Sequence, residues 1–380
     1  MLPRSGMRRG RAVALACVIA CVACGSNTVS RPPPAPVLSN YERTTGNAIT
    51  RDCGYSSPVP GRPGWSVWLF CDTEVTGPHG RPIRGLILGT DSAASGPYQA
   101  GQAPSDLSEI PTPPAPLTSA SGAPQPFLPA PPDVWLPGTT LPCSGAGAYS
   151  AAWISGLTPA PRTADALLVT FDEYCVTGTT NTPEGFGLAE YDPENNILSP
   201  ADVVFTSADG LPLPQQQVLG SPVTERDGYL YLFGVCPAAA PPAGCSGRVF
   251  AARTADAAAG WRDPGAYQYW TGTGWSAQAA TAGSVIPAGQ ALSVSVADYS
   301  TAGHGLVMIE QTSLAGDFQA WQAASPAGPW RRLLSGRVPC AGAGLCRALI
   351  GHPELSTRDR LLISYFNPGS NHVDVTAYPW

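Results

Sequence analysis

Asp227-Gly228-Tyr229-Leu230-Tyr231-Leu232-Phe233 sets a turn dipeptide directly before a run of aromatic and aliphatic residues, which is how a strand leaving a tight hairpin reads. Four other stretches have the same form: Val67-Trp68-Leu69-Phe70, Leu167-Leu168-Val169-Thr170-Phe171, Leu306-Val307-Met308-Ile309 and Leu361-Leu362-Ile363-Ser364-Tyr365. Turn signals such as Pro63-Gly64 and Arg358-Asp359 precede them, and shorter runs follow, as in Val249-Phe250-Ala251-Ala252 and Val373-Asp374-Val375-Thr376. A turn ending in tryptophan also repeats, at Ala255 to Trp261 and at Ser325 to Trp330. Helical periodicity is weak throughout. Five like clusters in one chain of 380 residues predict an all-β, five-bladed β-propeller built blade by blade. A two-sheet sandwich is the competing architecture, but its strands follow one another every 8–12 residues, far closer than these clusters.

Around this core the chain has three accessory parts. Arg4, Arg8, Arg9 and Arg11 precede the apolar run Ala12 to Ala23, too short to span a bilayer as a helix, so residues 1–23 read as a signal peptide of the lipoprotein type. Cys24, followed by Gly25-Ser26-Asn27, is the expected lipidation site, with Cys21 the second choice. Residues 24–47 carry Arg31-Pro32-Pro33-Pro34 and read as a proline-rich spacer. Residues 101–142 hold twelve prolines and read as a long surface insertion in a single domain spanning 48–380. The expected location is the outer face of the cell membrane, reached through the lipid alone.

Loss of the signal takes the net charge from −6 to −10, because four arginines and no acids leave. That field disfavours nucleic acid and anionic lipid as partners and favours neutral or cationic ligands. Eight cysteines remain after Cys17, Cys21 and Cys24 are set aside: Cys53, Cys71, Cys143, Cys175, Cys236, Cys245, Cys340 and Cys346. An even number in an exported chain predicts disulfides, and sequential pairing is the economical expectation among 105 connectivities. The four histidines lie far from them and no Cys-x-x-Cys occurs among the eight, so no metal site is expected. Acyl transfer, nucleotide and nicotinamide chemistry lack their motifs.

The chemistry concentrates in one hairpin. If the turn Pro60-Gly61-Arg62-Pro63-Gly64 is centred on residue 62, Cys53 faces Cys71 and Asp52 faces Asp72. The first pair would then be at disulfide range, while the second would set two carboxylates against each other. Opposed carboxylates repel, and their pKa values split into those of an acid and a base. The bland alternative has one aspartate capping a turn and the other solvated. Trp153 and Tyr55 could stack on a sugar face, and His352 and Glu354, expected on the inner strand of the last blade, could face the central channel. Asp172-Glu173 reads as a strand end and Glu225-Arg226-Asp227-Gly228 as an exposed turn.

These motifs occur together in one order: Arg51-Asp52-x-Gly54-Tyr55-Ser56, Trp68-Leu69-Phe70-Cys71-Asp72-Thr73, Asp227-Gly228-Tyr229-Leu230-Tyr231, Tyr269-Trp270-Thr271-Gly272-x-Gly274-Trp275 and Gly351-His352-Pro353-Glu354. Over residues 48–380 the chain resembles a domain-of-unknown-function family of exported actinobacterial proteins. That family is a five-bladed propeller akin to furanoside-cleaving glycosidases, and some members are endo-D-arabinanases. The resemblance implies a glycoside hydrolase with Asp52 and Asp72 as its catalytic carboxyls, and the chain is expected to act as a monomer. Arg51, Tyr55, Trp153, His352 and Glu354 would bind a polysaccharide. No cofactor is implied, with calcium in the central channel the one ion that analogy allows. Where similar proteins have Phe-Gly-Asp-Thr, this chain has Phe70-Cys71-Asp72-Thr73, so a side chain stands beside the acid. The alternative functions are a non-catalytic lipoprotein that binds glycan or protein in the same groove, and a sialidase-like enzyme, which lacks the arginine cluster that carboxylate recognition needs.

Overall fold

The computed structural model describes residues 36–83, 91–117, 122–128, 148–178, 180–199, 202–206, 219–224, 227–236, 247–255, 260–287, 289–341 and 345–380. The leader, Cys24 and Cys21 lie outside them. Five antiparallel sheets follow one another along the chain. The first contains β1 (Ala48–Pro58), β2 (Trp65–Thr76), β3 (Ser92–Pro97) and β4 (Ser108–Glu109). The second contains β5 (Tyr149–Pro159), β6 (Leu167–Thr177), β7 (Thr180–Asp192), β8 (Ile197–Leu198) and β9 (Asp202–Thr206), the last pairing with β7. In the third are β10 (Leu219–Thr224), β11 (Tyr229–Val235), β12 (Val249–Ala255), β13 (Gln268–Trp270) and β14 (Trp275–Ser276). The fourth holds β15 (Ser293–Asp298), β16 (Leu306–Gln311), β17 (Asp317–Ala323) and β18 (Arg331–Arg337), and the fifth β19 (Arg347–Gly351), β20 (Arg360–Asn367) and β21 (His372–Pro379). The first strand of each sheet touches the first strands of its two neighbours, and β1 touches β19, so the ring closes as a five-bladed propeller.

The five apolar runs are the second strands of the five blades, β2, β6, β11, β16 and β20. Their unbroken hydrophobicity has a direct cause. A strand points alternate side chains to opposite faces, and the two faces of a blade are covered by the blades on either side of it. Val67 and Leu69 pack toward the second blade, while Trp68 and Phe70 pack toward the fifth. Leu230 and Leu232 face the second blade, Tyr231 and Phe233 the fourth. Val307 and Ile309 meet Leu361 and Ile363 between the fourth and fifth. The core is therefore five layers between blades.

Two boundaries differ from the sequence reading. Residues 36–47, read as spacer, belong to the domain: Val37 is buried, Pro36 bridges to Asp374 on the edge of the fifth blade, and Ser39 caps a short helix α1 (Asn40–Thr45). The proline-rich stretch is likewise not wholly superficial, since Leu107, Ile110, Phe127 and Leu128 are buried between blades. Proline forbids central strands but does not forbid apolar anchors. Disulfides join Cys53 to Cys71 and Cys340 to Cys346, with Cα separations of 5.4 and 6.2 Å. Cys175 and Cys236 are also disulfide-bonded, and the cysteines expected as their partners, Cys143 and Cys245, lie outside the described residues. Among the described residues no helix is long and apolar enough to cross a membrane.

Candidate active site

The β1–β2 hairpin keeps the expected register at both ends, pairing Arg51 with Thr73 and Ser56 with Trp68, but it is broken by a bulge at Cys53, which faces Phe70 instead of Cys71. Cys53 and Gly54 have φ of 61° and 106°, and a Cβ on Gly54 would lie 2.9 Å from Val373. Bulges re-aim side chains, and this one stands beside Asp52. Asp52 and Asp72 line one cavity of about 170 Å³ at the end of the channel where the inner strands begin. Arg51, Tyr149, Arg347 and Phe366 share its wall.

Asp52 is 8% exposed, and its Oδ2 accepts from Arg347 Nε at 2.8 Å and Nη2 at 2.7 Å. Burial pushes its carboxyl up to about 6; the negative charge of Asp72 adds to the shift, and Arg347 with the Asp72 amide offsets part of it. Asp72, less buried, is also raised by burial, against the hydrogen bond from Trp153 and the charge of Arg347. Its Oδ1 accepts from Trp153 Nε1 at 2.7 Å. Trp153 rests on Tyr174, ring centroids 4.6 Å apart, and is thereby fixed as the donor to Asp72. The side chain of Cys71 is buried in the layer between the first and second blades and is absent from the cavity wall, so the half-cystine where glycine was expected leaves the acid's approach open.

The remaining sequence-derived residues are dispersed. Arg51 is 5% exposed, lies over the Phe70 ring at 4.3 Å and pairs with Glu109 at 2.7 Å, which commits its guanidinium to the interior of the first blade. Tyr55 contributes to a different cavity. His352 follows the end of β19 instead of lying on it. It is fully buried against Trp68, with ring centroids 4.7 Å apart, and burial lowers its pKa to about 3, so it stays neutral. Its Nδ1 lies 2.6 Å from Ser56 Oγ, and that hydroxyl also bonds Glu354. Ser56 stands four residues along β1 from Asp52, so the His352–Glu354 group is about 13 Å down the channel from the aspartates.

Glu74, Tyr149, Arg347 and Phe366 of the aspartate cavity escaped the sequence reading. Arg347 has no motif around it, and only ring closure brings the fifth blade against the first. Tyr149 opens β5 at the cavity rim, 38% exposed. Asp172 is not a strand end but the middle of β6, opposite Trp153, and burial raises its carboxyl well above the usual range. Among the described residues one group of ligand atoms is close enough to share an ion, Asp52 with Cys53 and Cys71, but the two sulfurs are bonded to each other and unavailable to a metal. Chemically the cavity offers the carboxyls of Asp52, Asp72 and Glu74, with a guanidinium holding that of Asp52 and an indole holding that of Asp72.

No curated protein matches the sequence. Among solved structures, a hydrolase candidate from Bacteroides ovatus is similar over 87% of this chain and 85% of its own, at 15% identity and a TM-score of 0.54. A GH43_1 enzyme from Xanthomonas citri complexed with xylotriose is similar over 91% of this chain and 89% of its own, at 11% identity and a TM-score of 0.46. A family 117 glycoside hydrolase from the marine bacterium Zobellia galactanivorans covers 90% and 87%, at 9% identity and a TM-score of 0.46. At such identities the likeness is one of fold. The family described as Domain of unknown function (DUF5005) matches residues 182–378, from the third strand of the second blade through the fifth blade and just over half of the sequence, and the chain belongs to it.

Proposed function

We propose that the protein is an exported, lipid-anchored glycoside hydrolase that cleaves a cell-wall or environmental polysaccharide, with D-arabinan the first substrate to test. The reading rests chiefly on one observation: Asp52 and Asp72 converge in a single cavity at a channel mouth, each with its carboxyl raised by burial. Glycoside cleavage needs one carboxyl to protonate the leaving oxygen and another to attack the sugar or activate water. Asp52, the more deeply buried and pushed to about 6, suits the proton donor. Asp72, nearer the open cavity and oriented by Trp153, suits the ionised partner. The glycosidic C–O bond breaks, the Asp52 proton goes to the departing oxygen, and water supplies the hydroxyl that completes the sugar. The motif order shared with the arabinanase-containing family supports the substrate choice. Attachment through Cys24 would hold the domain at the outer membrane face, where such glycans lie. A pair of aspartates on an outer rim would have favoured a binding-only lipoprotein; their position in the mouth favours catalysis. The test is oligosaccharide release by the purified protein from D-arabinan, L-arabinan, arabinogalactan and xylan. Release from one of them supports the reading, and binding without release from any would replace it with the glycan-binding one.

A further inference from the structure

Where the inner strands end, at the opposite mouth of the channel, all five blades enclose a second cavity of about 540 Å³, larger than the aspartate cavity at about 170 Å³. Its polar wall includes Tyr98, Thr158, Thr224, Asp298, Thr301 and Glu354. Leu157, Val223 and Ile350 stand among these, because residues near a strand end alternate between wall and blade. No arginine, lysine or histidine lines it among the described residues, so it has nothing to hold an anion. Deep in the cavity Glu354 takes the Ser56 hydroxyl, and the same serine lies 2.6 Å from His352 Nδ1. Glu354 Oε2, His352 Nε2 and the Tyr299 hydroxyl are buried without hydrogen-bond partners among the described residues. Of these residues Glu354 lines the cavity; buried polar atoms are rarely left unmatched, and a ligand or its water in the cavity would complete its Oε2.

We propose that this second cavity is a non-catalytic binding site for a short neutral saccharide, gripped by the wall hydroxyls and Glu354 with its apolar face against Tyr98. Hydroxyl groups interleaved with aliphatic patches and one partly exposed tyrosine are the surface that a sugar presents in complement: hydroxyls around a ring with apolar faces. A cationic ligand fits less well. Asp298 is exposed at the rim and its Oδ1 is already taken by Ser300, while Glu354 Oε1 already accepts from Ser56. The proposal does not rest on hydrolysis at the aspartate mouth, because the two cavities share no lining residue.

The experiment is calorimetric titration of the purified protein with xylobiose, arabinobiose and maltose, beside glucosamine and glucuronate as charged probes. Thr301→Trp fills the cavity from an exposed position, Thr224→Trp does so from the opposite wall, and Tyr98→Ala removes the stacking face. Binding of a neutral disaccharide by wild type, lost in either tryptophan variant that melts like wild type, weakened about tenfold by Tyr98→Ala and retained by Asp72→Asn, is the expected result. Polysaccharide hydrolysis, if present, should persist in Thr301→Trp, which separates this site from the first. Failure of all three neutral probes to bind wild type would overturn the proposal. So would tighter binding of glucosamine or glucuronate, or binding that survives both tryptophan variants.

Discussion

Arg347 of the last blade grips Asp52 of the first through Nε and Nη2, at 2.8 and 2.7 Å, so the seam that closes the propeller is also the wall of the aspartate cavity. The guanidinium lowers the Asp52 pKa against the stronger effect of burial. Removing it in Arg347→Met therefore raises that pKa further above about 6. With Asp52 as the proton donor, the alkaline limb of the pH–rate profile moves to higher pH, while kcat/KM falls because the carboxyl loses its fixed orientation. An alkaline limb that stays in place or moves down would take Asp52 out of the donor role.

Trp153→Phe keeps a ring on Tyr174 but deletes the N–H given to Asp72. That hydrogen bond favours the ionised carboxylate, so the Asp72 pKa rises and the acid limb of the profile moves to higher pH. A loss of about tenfold or more in kcat with little change in KM is expected, read from initial rates across pH.

Stability should respond to Asp52 in the opposite sense from activity. Its native pKa, about 6, lies above the unfolded value of 3.8, so the folded state holds the proton longer and wild-type stability declines as pH rises through that window. Asp52→Asn has no such decline. Its stability relative to wild type should therefore improve by about 2 kcal/mol or more between pH 3.5 and pH 7, measured by urea unfolding at each pH. Arg347, 42% exposed, can turn to solvent in the variant. A relative stability that does not change with pH would mean that Asp52 is not perturbed by burial.

The Cys53–Cys71 bridge closes an 18-residue separation around the hairpin that carries both aspartates, each next to a half-cystine. Replacing both cysteines by alanine should cost about 3 kcal/mol of stability. It should also lower kcat at temperatures where the protein is still folded, because the bulge beside Asp52 loses its tie. Unfolding curves and rates measured on the same samples check both effects.

Much of this was legible in the sequence because blade centres are buried on both faces, which turns β2, β6, β11, β16 and β20 into unbroken apolar runs that stand out from the rest. The hairpin register was legible for a similar reason: a turn centred on residue 62 fixes what faces what, and Arg51 opposite Thr73 and Ser56 opposite Trp68 follow it. The bulge at Cys53 was not, since one extra residue leaves no trace in composition. Arg51 and Arg347 show the other limit. The sequence places Arg51 beside Asp52, yet strand alternation sends it to Glu109 inside the blade, while the guanidinium that reaches Asp52 comes from a residue 295 positions away and is found only by closing the ring. His352 and Glu354 read as channel residues, and the structure separates them from the aspartates by the length of β1 between residues 52 and 56.

The most direct test of the central claim is the rate of oligosaccharide release from the polysaccharide that wild type cleaves, compared among wild type, Asp52→Asn and Asp72→Asn at equal folded concentration. The account predicts losses of about a hundredfold to ten-thousandfold in each variant, with substrate still bound. Release by either variant at a rate near that of wild type would contradict it.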